Sequence, residues 1–245
     1  MRVGLLGFGV IGQQVAEGLA ATGVEVVAVL TRRASGHPVG VPDIGAFLAA
    51  RPEVVVEAAS ASAVSAYGES IVASGADLIV ASAAALLDAA LREGLEAACR
   101  ASGVHVYVPA GALCGVDALA AAAVGGLDAV SLRVVDPGAD AVFDGSALEG
   151  ARRFPSRLNV AATSALAIGA DLPVILTEGH RREITLTARG AFGEFTATLW
   201  PQPRQDQLSH IVALSLLATL RELATSENGD RGRRGGRRRR GSGPG

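Results

Sequence analysis

The sequence predicts an α/β chain: an N-terminal Rossmann-type, doubly wound parallel sheet, followed by a second α+β domain with a mixed sheet. Three observations carry this expectation. Residues 1–33 read strand–turn–helix–strand around Gly7-Phe8-Gly9-Val10-Ile11-Gly12, a G-x-G-x-x-G turn. Apolar runs of strand length then alternate with helical patterns through short links for about 110 residues, as βαβ units do. After Pro109 that alternation gives way to alanine-rich helices and hairpin-like strand pairs.

Residues 1–6 are the first strand. Gly7 permits a tight turn, Gly9 lets a pyrophosphate approach the backbone, and Gly12 lets helix and strand pack closely. Val10 and Ile11 open the helix, whose free N–H groups would face the phosphates. Val15, Leu19 and Ala20 continue the helical pattern, and residues 24–30 form the second strand. In this frame the glycines read as a dinucleotide site; the alternative is a structural glycine turn.

The second strand runs into Thr31, Arg32 and Arg33. A site for NAD usually has Asp or Glu about 20 residues beyond the glycines, holding the ribose 2′-OH. No acid stands between Glu25 and Asp43. A hydroxyl and two guanidinium forks suit a 2′-phosphate instead. NADP(H) is therefore expected to be preferred, with NAD(H) possible; the alternative is that these arginines are solvated loop charges.

Residues 34–41, with His37, read as a surface loop, and Asp43 as the cap of a short helix reaching Ala50. Residues 54–56 are a buried strand that ends in Glu57-Ala58-Ala59-Ser60. Ala59 and Ser60 there, and Ser82 after the strand at 77–80, are expected to line the dinucleotide crevice. Helices are expected at 63–74 and 87–102, the second stopped by Gly103, and a strand at 105–108. Residues 109–119 form a small-residue loop opening a helix. Further on, strands are expected at 130–135, 174–176, 183–188 and 194–199, and helices at 144–154, 159–168 and 208–224. The domains divide at 1–110 and 111–226, with the last helix able to pack back on the first domain.

Residues 229–245 are rich in Arg and Gly and have no apolar residue. They are expected to be disordered. Residues 227–245 carry seven arginines against Glu227 and Asp230, about +5, so a net charge of −2 leaves the rest near −7. An acidic body argues against a nucleic-acid-binding core, leaving only non-specific contact by the tail. All 22 basic residues are arginine. Cys99 and Cys114 fit a reducing cytoplasm rather than a disulfide framework, and lack metal-ligand spacing. No signal peptide or apolar run of spanning length is evident, so a cytoplasmic location without membrane contact is expected, and no metal.

Several segments, in order, resemble the L-aspartate dehydrogenase family. They are Gly7 to Gly12, Val55-Val56-Glu57-Ala58-Ala59-Ser60, the loop from Gly111 to Leu119, Phe143-Asp144-Gly145-Ser146-Ala147, Phe154-Pro155 through Asn159-Val160-Ala161-Ala162, and Gly190-Ala191-Phe192-Gly193. The resemblance implies hydride transfer between the α-carbon of aspartate and NAD(P), giving iminoaspartate, and a second domain that binds the amino acid and mediates a homodimer. It places Ala112 at a backbone contact to the cofactor and Asn159 at an asparagine contact near the nicotinamide. Asn159 is also a candidate helix N-cap.

The chain departs from the family on the substrate side. The family's histidine, in an Asn-x-His motif, aligns with Ile184; His180, four residues earlier, is the candidate catalytic residue, exchanging a proton. Asn-Pro-Lys-Thr-Ser reads here Gln205-Asp206-Gln207-Leu208-Ser209, so only Ser209 remains, and Arg204 or His210 would replace the lost cation. The link between Val135 and Val142 is shortened. Arg157 replaces an asparagine and, with Arg181 and Arg182, is a candidate to pair a substrate carboxylate. Competing readings are a reductase for another imine, a homoserine-type carbonyl dehydrogenase, a catalytically silent NADP(H)-binding sensor or partner protein, and an RNA-associated protein acting through the tail.

Overall fold

A computed structural model describes residues 1–32, 36–202 and 208–237, with side chains to residue 225. The first unit contains β1 (Arg2–Leu6), α1 (Val10–Ala20), β2 (Glu25–Leu30), β3 (Gly40–Val41), α2 (Ile44–Ala49), β4 (Val54–Glu57), α3 (Ala61–Ala73), β5 (Asp77–Val80), a 3-10 turn (Ala83–Leu87), α4 (Ala89–Ser102) and β6 (Val106–Tyr107). Its six strands are all parallel, in the order β3-β2-β1-β4-β5-β6. The chain winds outward from β1 to one side and then returns to β4 and winds to the other. The switch point between β1 and β4 opens a crevice at the strands' carboxyl ends.

Both faces of this sheet are buried, which is why its strands read as continuous apolar runs. Val3, Leu5, Val29, Val54 and Val56 pack against Val15 and Leu19 of α1. Leu6, Val55, Leu78 and Val80 pack against Phe47, Val64, Ile71 and Leu95 of α2, α3 and α4. Local chemistry ends the helices where the sequence predicts: Asp43 accepts from the Ala46 N–H at 2.8 Å, and Gly103 closes α4 at φ +72°.

The second unit contains α5 (Val116–Gly125), β7 (Ala129–Val135), β8 (Phe143–Ser146), α6 (Ala147–Arg153), α7 (Asn159–Ile168), β9 (Pro173–Thr177), β10 (Glu183–Gly190) and β11 (Gly193–Leu199). Its sheet runs β11-β10-β7-β9-β8, with β7 and β9 parallel and the other pairs antiparallel. Leu132, Val134, Val174, Leu176, Ile184 and Leu186 face Leu119 of α5 and Val160, Ala161 and Ala165 of α7. The other face carries Ser131, Arg133, Thr185, Thr187, Thr196 and Thr198, and no element of the described residues covers it. Cross-strand hydroxyl contacts tie Thr185 to Thr198 and Thr187 to Thr196, each at 3.1 Å.

Two segments differ from the expectation. Residues 144–146, expected to start a helix, belong instead to the strand β8. Phe143 pairs with Leu176 and buries its ring, and the Ser146 hydroxyl accepts from the Glu149 N–H, so the helix starts only at Ala147. The final helix, α8 (Ile211–Arg237), starts later than 208 and continues past 224. Residues 229–237 are thus helical where disorder was expected: packing of the first turns supplies the nucleus, and the helix propagates from it despite the glycines at 229, 232, 235 and 236. Residues 238–245 lie outside the described part.

α8 returns to the first unit. Ala213, Leu216 and Leu220 join Val3, Leu5, Val15 and Leu19 in one core, and Leu217 packs on Gly18. Buried Ala83, Ala151 and Ala162 form the seam between the 3-10 turn, α6 and α7, where small side chains let the two units approach closely.

Candidate dinucleotide site

The crevice is built first by the glycine turn. Gly7, at the end of β1, has φ +100°, and its N–H donates to the Leu30 carbonyl at 2.8 Å. A Cβ there would stand 2.6 Å from the Ala58 carbonyl oxygen, and a Cβ on Gly12 would strike the Gly7 carbonyl. Gly9 is different: nothing lies within 4 Å of the position its Cβ would take. Gly9 caps α1 without any side-chain hydrogen bond, and no acid stands in the first turn. The N–H groups that open α1 at Val10, Ile11 and Gly12 are thus left for an outside acceptor. Two glycines serve the fold, and the third keeps space beside a positive helix end, which fits a pyrophosphate.

Thr31 and Arg32 follow β2 at the same sheet edge; Thr31 is half-buried and Arg32 exposed. Arg33 lies outside the described residues. The His37 ring meets Phe8 edge-on with centroids 5.0 Å apart, bringing that loop against the glycine turn.

Next along the sheet edge, Ser60 caps α3 through the Ala63 N–H at 3.3 Å. Its neighbour Ala59 donates its N–H to Glu57 Oε1 at 2.7 Å. Glu57 is fully buried, and it also accepts from the Ser82 hydroxyl and the Ser82 N–H, each at 2.9 Å. Burial pushes the Glu57 carboxyl above its ordinary value, while the hydrogen bonds from Ser82 and Ala59 pull the other way. Ala59, Ser60 and Ser82 are thereby gathered at one edge. The sequence reading left Glu57 without a role; its signal is an acid ending an otherwise apolar strand.

Asn159 reaches this edge from the second unit. Its Nδ2 donates to the Ala81 carbonyl at 2.8 Å, and its Oδ1 accepts from the Ala84 N–H at 3.2 Å. The N-cap expectation is corrected: Leu158 occupies the cap of α7, Asn159 is the first helical residue, and its amide spans to another loop. Ala112 lies in a turn held by α8, where the Gly111 N–H donates to Ser215 Oγ at 3.0 Å. Gln14, on the inner side of α1, accepts from the N–H groups of Ser209 and His210 at 3.2 and 2.9 Å. This places Ser209 beside the phosphate-facing helix. Gln14 was not anticipated, because its partners lie far along the chain. Arg204 and residues 205–207 lie outside the described residues.

The arginines proposed for a carboxylate are engaged elsewhere. Arg182 pairs with Asp136 and donates to the Arg157 carbonyl at 2.9 Å. Burial lowers the Arg182 pKa, and Asp136 opposes that shift. Arg157 donates to the Gly138 carbonyl and to Asp140 Oδ1, the latter at 3.2 Å. Arg181 stacks over Trp200, 5.0 Å from the ring centroid. These ties brace the 136–140 turn and the start of α7. His180 is exposed, in the loop that carries Arg181 and Arg182. Cys114 is exposed and Cys99 half-buried. Among the described residues no cluster of His, Cys, Asp or Glu is arranged to hold a metal, and no helix is long and apolar enough to cross a membrane.

Comparison with known proteins matches both units. Residues 7–109 match the family described as homoserine dehydrogenase, NAD binding domain, and residues 136–223 the family described as aspartate dehydrogenase, C-terminal. L-aspartate dehydrogenase of Archaeoglobus fulgidus is 36% identical over 235 residues, covering 91% of this chain and 98% of that protein. L-aspartate dehydrogenase 2 of Bordetella pertussis is 37% identical over 259 residues, covering 90% and 96%. The crystal structure of aspartate dehydrogenase from Thermotoga maritima superposes with a TM-score of 0.75 at 25% identity, over 91% of this chain and 96% of that one.

Proposed function

The chain belongs to the L-aspartate dehydrogenase family, and from that premise we propose that it oxidises L-aspartate with a nicotinamide dinucleotide. The observation that carries the proposal is likeness to L-aspartate dehydrogenases across both units, over 91% of the chain for the Archaeoglobus protein. When bound, the nicotinamide supplies the acceptor for the hydride leaving the substrate α-carbon. The amine becomes an imine, iminoaspartate, which water converts to oxaloacetate and ammonia.

The chain's own residues bind and orient. Gly7, Gly9 and Gly12 shape the turn, and the N–H groups of α1 hold the pyrophosphate. Ala59 and Ser60, after β4, and Ser82, after β5, line the crevice. Asn159 and Ala112 bring the second unit to the nicotinamide end. Thr31 and Arg32, with Arg33, recognise a ribose 2′-phosphate, so NADP(H) is preferred and NAD(H) also serves. What supports this is the guanidinium at the end of β2 and the missing acid.

His180 exchanges the proton of the amine or hydrate step. Ser209, and Arg157, Arg181 and Arg182 with whatever donors their ties leave over, face the amino acid. The uncovered threonine face of the second sheet pairs with the same face of another copy in a homodimer. The unpaired cysteines support a cytoplasmic location.

The test follows nicotinamide absorbance with purified protein, NADP⁺ or NAD⁺, and L-aspartate at alkaline pH, beside a panel of other amino acids. Turnover of L-aspartate, faster with NADP⁺, is the expected result. Dinucleotide binding with no turnover of any amino acid overturns the proposal.

A further inference from the structure

Glu57 is a fully buried acid in the first unit, and no cation accompanies it among the described residues. Burying a carboxylate costs free energy, and an apolar residue in the same strand position would avoid that cost. The hydrogen bonds that Glu57 accepts show what the position is used for. Oε1 receives the Ala59 N–H and the Ser82 hydroxyl, and Oε2 receives the Ser82 N–H. The Glu57 main-chain carbonyl also accepts from the Ala81 N–H at 3.1 Å. One residue thus ties the end of β4 to the loop that follows β5.

That same loop is gripped from its other side. Asn159 holds the Ala81 carbonyl and the Ala84 N–H. Residues 81–84 therefore sit between a carboxylate of the first unit and an amide of the second. Apart from the packing of buried Ala83 against Ala151 and Ala162, the long-range polar ties of this alanine–serine stretch run to these two residues.

We propose that Glu57 is a positioning residue of the reaction, holding residues 81–84 as the wall of the crevice against which the nicotinamide end is seated, with Asn159 as its counterpart. This rests on the crevice reading given under Proposed function. Glu57 touches neither substrate nor cofactor; it acts through Ser82 and Ala59. An amide in place of the carboxylate turns an NH₂ group toward a donor that the carboxylate accepted, because all three partners donate.

The experiment uses the full chain, unaltered and as Glu57→Gln, Ser82→Ala and the double variant. Three quantities are read: the Kd for NADPH and NADH from their fluorescence on binding, kcat and KM for L-aspartate, and the melting temperature. Hydrogen bonds to a charged group are among the stronger ones, so Glu57→Gln is expected to raise the cofactor Kd and lower kcat by roughly tenfold or more. KM for L-aspartate should change far less. Ser82→Ala, which keeps the N–H bond, falls between. The double variant is expected to be no worse than Glu57→Gln, since both act through one loop.

A lower melting temperature in Glu57→Gln with Kd and kcat unchanged would mean that Glu57 serves only the fold, and overturns the proposal. If Glu57→Gln does not fold, Ser82→Ala decides: unaltered Kd and kcat there overturn it equally. Failure of the unaltered protein to bind either dinucleotide sinks the crevice reading and this proposal with it. Binding without aspartate turnover sinks only the substrate, and the Kd comparison still decides the role of Glu57.

Discussion

Replacing Asn159 separates two roles that its position at the start of α7 allows. Asn159→Ala removes the bond from Nδ2 to the Ala81 carbonyl and the bond from the Ala84 N–H to Oδ1. A neutral hydrogen bond contributes about 1 kcal/mol net, so the loss is about 2 kcal/mol. For a chain of this size, 1 kcal/mol moves the melting temperature by roughly 2–4 °C, so Asn159→Ala should melt about 4–8 °C lower. Asn159→Asp is the sharper variant. One carboxylate oxygen can still accept from Ala84, but the other faces the Ala81 carbonyl, acceptor against acceptor. An acid in the first turn of α7 would recover about 0.3–1 kcal/mol from the helix dipole. That gain is smaller than the lost bond and the added repulsion. Thermal melts of the three proteins at neutral pH, followed by circular dichroism, should place Asn159→Asp well below the unaltered chain. If Asn159→Asp melts at or above the unaltered chain, the residue serves its own helix end and the bridge between units is refuted.

Three other outcomes follow from named contacts. Gly9→Ala should leave the melting temperature nearly unchanged while abolishing dinucleotide binding, because its Cβ would enter empty space kept for the ligand. Gly7→Ala should lose stability itself, having both positive φ and backbone within 2.6 Å of its Cβ. Equal dinucleotide affinity in Gly9→Ala and the unaltered protein would refute the assignment. Asp136→Asn leaves the Arg182 guanidinium without its countercharge. Arg182 retains 29% side-chain exposure, so the cost should be about 2 kcal/mol, below the ~3–5 of a fully buried pair, seen as a lower urea midpoint with unchanged slope. An unchanged midpoint would show the pair to be idle.

The last outcome concerns pH. Burial raises the Glu57 pKa above 4.5, so its contribution to stability is fully present below that value and is lost as pH rises through the folded pKa. Glutamine does not titrate. The melting temperature of the unaltered chain minus that of Glu57→Gln should therefore fall as the pH rises above the ordinary carboxyl range. A difference that grows with pH would mean that the hydrogen bonds outweigh burial.

The features legible along the chain are local ones. The turn at Gly7 needs positive φ, Asp43 and Gly103 end helices through atoms three or four residues away, and the continuous apolar strands announce a sheet covered on both faces. Such features depend on near neighbours and on periodicity, so they are legible in order along the chain. The departures arose where distant segments meet. Residues 143–146 became a strand because Phe143 pairs with Leu176, not through any local preference. Glu57 joins Ser82 across 25 residues, Asn159 joins Ala81 across 78, and Gln14 joins His210 across 196. Arg157 and Arg182 read as open guanidinium forks until the fold placed Asp136, Gly138 and Asp140 against them. The glycine turn could be read from its own residues, but the wall facing it could not. That wall is held by hydrogen bonds whose donors and acceptors become neighbours only after both sheets have formed and α8 has packed back on α1.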